Sequence, residues 1–417
     1  AHTIALDQNR TVHCIMDIQI NGSINMSYII ANLLFVAVLC LWFLSCVVAY
    51  AQQGSAATDA CTSTDSSLER ARLLGMPQAI ETQNAEFEND NFWNEHGSLI
   101  QQAWKEWEME HATTLSDFDN DVKEQEGWVN SSLLKAIIDA FTNPSEESEA
   151  AVKSLWTNNS KGTSNQVMPK GVYATQLLSP RGISYLRNLL ELASESGIPT
   201  RRPNGMNRHG MILDSDVHGA VPVQPIVKIV EEIIDRIARP VGRMLFQDRI
   251  GCEDDVDYYA FTISYDGTTT NTRSIQSKDM ELKEHRDASV VTLNINLNLP
   301  EENYGGSEVF FRGYPPAESW SSSDLFASNS KDEEDGGGTV TFSPGMAIIH
   351  LGSHRHGSLP INSAHSNSNS EGKQPNDGKR FNLVIWLFGT LGDVRIAPYS
   401  KDEQLSASQR WRGCNKG

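Results

Sequence analysis

The chain has 417 residues, with 34 basic against 53 acidic side chains and a formal net charge of −19. This excess of acid argues against a nucleic-acid-binding protein, because a phosphate backbone requires clustered Lys and Arg and the chain has no basic stripe. A hydrophobic fraction of 39% and 9 tryptophans are enough for a packed core, which excludes a wholly disordered chain.

An uninterrupted apolar segment covers residues 28–51 and carries no charge. It is long enough to cross a bilayer, and we expect it to direct the protein into the secretory pathway, to the lumen of the endoplasmic reticulum or Golgi or to the outside. Two interpretations stay open. The segment is either a retained anchor, which attaches the protein to the membrane, or part of a cleaved signal peptide at 26–51. Residues 1–25 are an uncertain leader.

Three cysteines, Cys61, Cys252 and Cys414, follow the apolar segment. Their odd number and wide spacing imply no disulfide framework, and none has the spacing of a zinc site. One bridge between Cys252 and Cys414 is compatible with an oxidising lumen, although the sequence leaves this pairing open. A glycosylation sequon at Asn130 fits passage through the same compartment.

A polar linker is predicted at 52–66, and an acidic helical region follows at 67–157. Two stretches of that region have apolar residues at near-helical spacing. These residues are Leu99, Ala103 and Trp107, and then Leu133, Leu134, Ile137, Ile138 and Phe141. Between residues 81 and 126 the chain has 13 Asp or Glu but only two Lys. Such a surface is usually a solvated face, and a docking surface for a basic partner is the alternative.

The main domain, predicted at 170–395, starts with helices and continues with strands. Ser179 and Pro180 are typical of the N-cap and first turn of a helix, and an amphipathic helix is predicted over 222–246. After Cys252 the apolar pattern changes to period two and predicts strands. The strands are expected at 259–265, 289–299, 307–311, 339–342, 347–350 and 381–388.

This order of elements predicts an α+β fold. Its core is a double-stranded β-helix, or jelly roll, braced by N-terminal helices and preceded by the separate acidic helical region. Polar insertions at 313–338 and 362–378 are expected to be mobile surface loops, and 396–417 is expected to be a C-terminal tail.

The most informative motif is the pair His285 and Asp287, separated by one residue at the start of a predicted strand. Both side chains face one side of an extended chain. Two imidazoles and one carboxylate can occupy one face of an octahedral iron(II) and leave the other face open, as in non-haem iron(II) oxygenases. The third ligand has to come from another strand, and we choose His356. Its neighbours His350 and His354 are expected to be structural.

Four segments carry a resemblance to a known family. They are HRDASVVTLNINLN at 285–298, GGSEVFF at 305–311, GMAIIHLGSHRHGSLP at 345–360 and GKRFNLVIWL at 378–387. Together they resemble the catalytic domain of the procollagen lysyl hydroxylase and prolyl 4-hydroxylase group, which are iron(II)- and 2-oxoglutarate-dependent dioxygenases. RRPNGMNRHGMILD at 201–214 also looks like a segment of related domains. The resemblance covers roughly 170–395 and does not extend to the acidic helical region.

The resemblance implies a full set of site residues. The implied iron ligands are His285, Asp287 and His356, and the implied co-substrate contacts are Arg380, Tyr265 and Asn294. For Tyr265 the alternative of a core tyrosine, with its hydroxyl bonded to the backbone, stays open. Arg380 would bind the distal carboxylate of 2-oxoglutarate, because a guanidinium can form two parallel hydrogen bonds to it. In the family this basic residue follows the last ligand more closely than here. An insertion at 362–378 explains the longer gap, because closure entropy grows only slowly with loop length. Adjacent Lys379 is the alternative.

By the same resemblance, the protein is expected to hydroxylate a prolyl or lysyl side chain of a protein or peptide. The reaction would decarboxylate 2-oxoglutarate to succinate and CO2. The expected cofactors are iron(II), 2-oxoglutarate as co-substrate, O2 and L-ascorbate. Two alternatives stay open. One is the same cofactor chemistry on a small molecule or lipid, and the other is an inert scaffold whose acidic region recruits a partner.

Overall fold

The computed structural model describes residues 66–75, 90–116, 127–157, 168–207, 209–213, 217–267, 279–302, 304–313, 337–362, 378–395 and 397–414. The predicted leader, the apolar segment and nearly all of the linker lie outside the described residues, as do most of both polar insertions. Among the residues that are described, no helix is long and apolar enough to cross a membrane.

The structure describes eight α-helices, some of which begin at a side-chain cap. In chain order they are α1 (Ser67–Leu74), α2 (Asp90–Glu110), α3 (Ser131–Thr142), α4 (Glu146–Thr157), α5 (Pro180–Ser194), α6 (Gln224–Ile233), α7 (Arg239–Leu245) and α8 (Ala407–Arg412). The Ser179 hydroxyl accepts a hydrogen bond from Gly182 N at 3.0 Å and caps α5. A π-helical turn at Ile234–Ala238 joins α6 to α7, so the helix predicted over 222–246 is continuous but not uniform.

The described strands form antiparallel sheets. They are β1 (Val172–Gln176), β2 (Asp257–Asp266), β3 (Leu282–His285), β4 (Val291–Asn296), β5 (Gly305–Gly306), β6 (Val309–Phe311), β7 (Gly338–Val340), β8 (Met346–Leu351), β9 (His356–Ser358), β10 (Ile361–Asn362) and β11 (Lys379–Phe388). A five-stranded sheet has the order β1-β8-β4-β11-β2, and a four-stranded sheet has the order β3-β9-β6-β7. The α+β class of the prediction is confirmed.

The five-stranded sheet has one apolar face and one face that mixes polar with apolar side chains, because successive side chains of a strand point to opposite sides. Leu293, Ile349 and Ile385 are buried in one hydrophobic cluster with residues of α5 and α6. The alternate positions of β4 and β11 include Thr292 and Asn382, which are also buried. Polar groups enclosed in this way require partners, and they line the interior where the candidate site lies.

The acidic helical region shares the core of the β-rich region, whereas the sequence predicted a separate unit. Trp93, Trp104, Trp107 and Trp156 are each at most 2% exposed and belong to the same hydrophobic cluster as the sheet residues. Residues 65–417 form one compact unit. Short amphipathic helices bury only one face against each other, so side chains as large as tryptophan complete their burial against a further layer.

The C-terminal segment, predicted as a tail, is also packed into this unit. Arg410 on α8 donates to both carboxylate oxygens of Glu149 on α4, at 2.7 and 2.6 Å, and both side chains are buried. Trp411 Nε1 donates to Glu149 Oε1 at 3.1 Å. Cys414 is disulfide-bonded to Cys252, which is the pairing that the sequence left open.

Candidate metal centre and co-substrate pocket

Three side chains that the sequence predicted as metal ligands converge in the structure. His285 ends β3 and His356 starts β9, and the two residues are register partners in the four-stranded sheet. Asp287 Oδ1 is 3.3 Å from His285 Nε2, and Asp287 Oδ2 is 3.6 Å from His356 Nε2. All three ligand atoms lie within 4.8 Å of one another, and no other described group of His, Cys, Asp or Glu meets this criterion for a metal site.

Backbone carbonyls fix both imidazoles in the form that a metal requires. His285 Nδ1 is 2.8 Å from Lys283 O, and His356 Nδ1 is 2.8 Å from His354 O. A carbonyl oxygen only accepts hydrogen bonds, so each Nδ1 carries a proton, and in the neutral imidazole each Nε2 has its lone pair available for an ion. Two such imidazoles and a carboxylate fit iron(II), with positions left over for further ligands.

The surroundings of Asp287 within the triad favour its ionised form. Burial raises the pKa of Asp287, but the His356 and His285 imidazoles outweigh burial and hold that pKa below its ordinary value. Burial lowers the pKa of His356. Burial also acts to lower the pKa of His285, but its hydrogen bond to Asp287 raises the pKa overall. A buried anion of this kind needs a compensating cation, and a metal ion between the three groups would supply it.

Arg380 forms the second part of the pocket. It pairs with Tyr265 across β11 and β2, and the two side chains are 1% and 0% exposed. The guanidinium lies 4.5 Å from the centroid of the Tyr265 ring and donates to Ser307 O. Its Nε has no hydrogen-bond partner, and no carboxylate among the described residues pairs with it. Since burying an uncompensated charge is costly, this subsite fits an anionic ligand. Lys379, the sequence alternative, is exposed.

One pocket includes all the predicted site residues. Its lining contains His285, Asp287, His356, Arg380, Tyr265 and Asn294. The longer gap before Arg380 does not displace it, because β11 pairs with β4 and β2 and returns Arg380 to the interior. The roles of these six residues in binding iron and co-substrate stay predictions, but the residues lie together as those roles require.

Sequence reasoning missed several supporting residues. Asn207 Nδ2 donates to Tyr265 Oη at 3.5 Å, and Asn204 Nδ2 donates to Asn207 Oδ1 at 3.2 Å. Both lie in the RRPNGMNRHGMILD segment, whose resemblance to related domains was the available signal. Asn382 donates to Asn294 Oδ1 at 2.5 Å. Because it lies two residues after Arg380 on one strand, period-two spacing places both on the same face.

His350 and His354 stand beside the triad and do not join it. Burial lowers the pKa of His350 to about 3 and that of His354 to about 4, so both imidazoles are neutral near pH 7. His350 Nδ1 is 2.9 Å from Leu351 O, and its ring centroid is 4.5 Å from that of His356. These contacts agree with the structural role expected from the sequence.

Known proteins supply an independent comparison. No family model matches the chain. The chain is 24% identical over 220 residues to the 2-oxoglutarate and iron-dependent oxygenase domain-containing protein CP2 of Arabidopsis thaliana. It is 26% identical over 235 residues to the 2-oxoglutarate and iron-dependent oxygenase domain-containing protein 2 of Xenopus tropicalis. The chain is similar to 2-oxoglutarate- and iron-dependent oxygenases.

These matches cover 52% and 55% of the chain and 45% and 52% of the relatives, so the chain spans about half the length of the curated relatives it matches. Among solved structures, a Pseudomonas putida prolyl-4-hydroxylase aligns with 63% of this chain and 97% of its own, at 11% identity and a TM-score of 0.32. The described residues hold a candidate iron triad, in agreement with the iron dependence that the names of these sequence relatives state.

Proposed function

We propose that this chain hydroxylates prolyl or lysyl side chains of a protein or peptide, on a double-stranded β-helix core. The observation that carries the proposal is a single pocket that contains the triad and a buried arginine without a carboxylate partner among the described residues. Iron(II) and 2-oxoglutarate, when bound, supply the oxidation of a C–H bond by O2, with release of succinate and CO2.

The chain's own residues bind and orient these groups. Nε2 of His285, Nε2 of His356 and the Asp287 carboxylate would hold the metal. Arg380 would hold the distal carboxylate of 2-oxoglutarate through charge-assisted hydrogen bonds, which are stronger than neutral ones. Tyr265 Oη, fixed by Asn207, lies beside that guanidinium and is a second contact for the same carboxylate. Burial of Asp287, His356 and Arg380 limits the access of water to the reacting groups.

An open groove beside the pocket favours a peptide substrate over a small molecule. The groove has a volume of about 620 Å³, and Trp386 lines both it and the pocket. Ala288, directly after the ligand Asp287, also lines the groove. At the rim, Leu391 is 94% exposed. A peptide needs such a surface for the residues that flank its reacting side chain, whereas small ligands are mostly enclosed by their sites.

The direct test measures succinate formed by the full chain with iron(II), 2-oxoglutarate, L-ascorbate and a library of peptides that contain proline or lysine. Mass spectrometry of the peptides then detects an added oxygen. We expect His285→Ala to abolish both signals, whereas His96→Ala, on α2, retains them. Turnover by His285→Ala equal to that of the wild-type chain would contradict the proposal.

The groove has a separate test. Leu391→Asp removes an apolar contact worth roughly 1.5–3 kcal/mol, so the KM for a peptide substrate should rise by roughly tenfold or more. Succinate formation without peptide should not change. Met109→Asp, at a position on α2 that is 69% exposed, is the matched control. A KM that Leu391→Asp leaves unchanged would favour the small-molecule or lipid alternative.

We further propose that the protein works in the secretory pathway, with residues 28–51 as its targeting segment. The bridge between Cys252 and Cys414 supports this, because disulfides persist mainly in oxidising compartments. In animal cells the full chain should be protected from protease in intact microsomes, and its mobility should shift on endoglycosidase treatment. A reduced, unprotected chain would contradict this location.

A further inference from the structure

Thr292 is a buried hydroxyl on the inner face of β4, five residues after the ligand Asp287. Its Oγ1 donates to Asp287 Oδ2 at 2.5 Å and lies 2.9 Å from Ser289 Oγ. Thr292 and Ser289 are both 1% exposed. A threonine hydroxyl has one proton, and Thr292 donates it in the hydrogen bond to the ionised Asp287 carboxylate. The hydrogen bond between Ser289 and Thr292 therefore uses the proton of Ser289. The result is a directed chain from Ser289 through Thr292 to Asp287.

We propose that Thr292 is a positioning residue for the metal, with Ser289 as its support. Each Asp287 oxygen faces one imidazole, Oδ1 toward His285 and Oδ2 toward His356. Rotation of the carboxylate would move both oxygens out of this arrangement. The Thr292 hydrogen bond opposes that rotation, and donation from Ser289 strengthens it, because linked hydrogen bonds polarise one another.

The backbone around Asp287 is anchored separately, which leaves carboxylate orientation to the side chains. Asp287 N donates to Gly352 O at 2.9 Å, and Gly352 N donates to Val290 O at 3.1 Å. A Cβ at Gly352 would lie 2.1 Å from Ser289 O, so only glycine allows this close approach. These bonds fix the position of the Asp287 main chain. They do not set the torsion of its carboxylate, which the Thr292 hydroxyl contacts directly.

The competing explanation is that the bond to Asp287 merely gives the buried Thr292 hydroxyl a hydrogen-bond partner. The two explanations differ in what they predict for metal affinity. A merely structural hydroxyl affects folding of the metal-free chain and leaves metal affinity unchanged. A positioning hydroxyl affects the affinity itself, and residues of this kind typically change it by roughly 10- to 100-fold. The inference rests on the proposed function, because it takes the triad as the metal site.

The experiment measures the affinity of the full chain for manganese(II), and for iron(II) without oxygen, by isothermal titration calorimetry. Thr292→Val keeps the shape and removes the donor, and we expect roughly 10- to 100-fold weaker binding. Thr292→Ser restores the donor and should restore the affinity. Thr262→Val is the control and should bind metal as the wild-type chain does. It removes a buried hydroxyl on β2 that accepts a hydrogen bond from Met211 N.

The outcomes separate the two hypotheses. Wild-type affinity in Thr292→Val overturns the inference and leaves the proposed function intact. A wild-type chain that binds neither metal overturns the proposed function. Should Thr292→Val not fold, Ser289→Ala takes its place, since it keeps the Thr292 donor but removes its support. Weaker binding by that variant supports the inference, and unchanged binding overturns it.

Discussion

Among the buried arginines of the described residues, Arg410 and Arg380 have opposite charge environments. In the contact between α8 and α4, which we call the C-terminal clamp, Arg410 is 7% exposed and donates to both carboxylate oxygens of Glu149. In the candidate iron pocket, Arg380 is 1% exposed and contacts the Ser307 carbonyl and the ring of Tyr265, but no carboxylate among the described residues. The first charge is neutralised by the chain itself, whereas the second is left for a ligand. Burial alone therefore does not distinguish a structural arginine from a binding one, but the partner does.

The largest expected effect is on stability, at the clamp. Glu149→Gln leaves Arg410 buried without a counter-ion, and breaking a buried pair in this way costs about 3–5 kcal/mol. Urea unfolding should show this loss, while affinity for 2-oxoglutarate stays the same. Glu147→Gln, an exposed acid on the same helix, is the control. A small loss for Glu149→Gln would mean that the clamp is as dispensable as a surface pair.

The next effect is on ligand binding, in the pocket. Arg380→Gln should weaken 2-oxoglutarate binding by about 3 kcal/mol, roughly 100-fold, because the ligand carboxylate loses its charged partner. Thermal-shift titration with manganese(II) and 2-oxoglutarate measures it. The free energy of unfolding should not fall, since an uncompensated buried charge is removed. Lys379→Gln, next to it and exposed, should bind normally. Loss of stability without loss of binding would make Arg380 a second clamp.

The smallest effect tests the neighbour of Arg380. Tyr265→Phe removes the hydroxyl that Asn207 contacts but keeps the ring under the guanidinium. A single hydrogen bond is worth about 1 kcal/mol, so affinity for 2-oxoglutarate should fall by roughly fivefold. The same titration measures it. An unchanged affinity would assign Tyr265 to the packing of Arg380 alone.

Local patterns were enough to predict many of the elements and to identify the three side chains of the candidate metal site. Period-two alternation located most of β11, which bears Arg380, whereas no strand was predicted at β9, which bears His356. The spacing of His285 and Asp287 predicted that both face one side of an extended chain. The Ser179 cap and Pro180 located the start of α5. These features depend on residues close in sequence, so they can be predicted without a structure.

Long-range packing could not be predicted in the same way. The pairing of Arg410 with Glu149 joins residues 261 apart, and no local pattern links them. Trp107 of α2 was predicted on the apolar face of a helix, but nothing in the spacing indicates which surface covers it. The bond from Thr292 to Asp287 is short in sequence yet depends on the turn between β3 and β4, so the residue types alone did not assign it.

The position of β11 bears on how the protein is made. This strand lies between β4 and β2 in the five-stranded sheet, although it is the last of the described strands in the chain. While synthesis proceeds from the N-terminus, β4 and β2 each present an open edge until residues 379–388 emerge. Pairings between segments distant in sequence form slowly, and unpaired strand edges invite aggregation in the meantime. The nascent chain should therefore depend on chaperones until residues 379–388 have emerged, and a chain truncated before residue 379 cannot close the sheet.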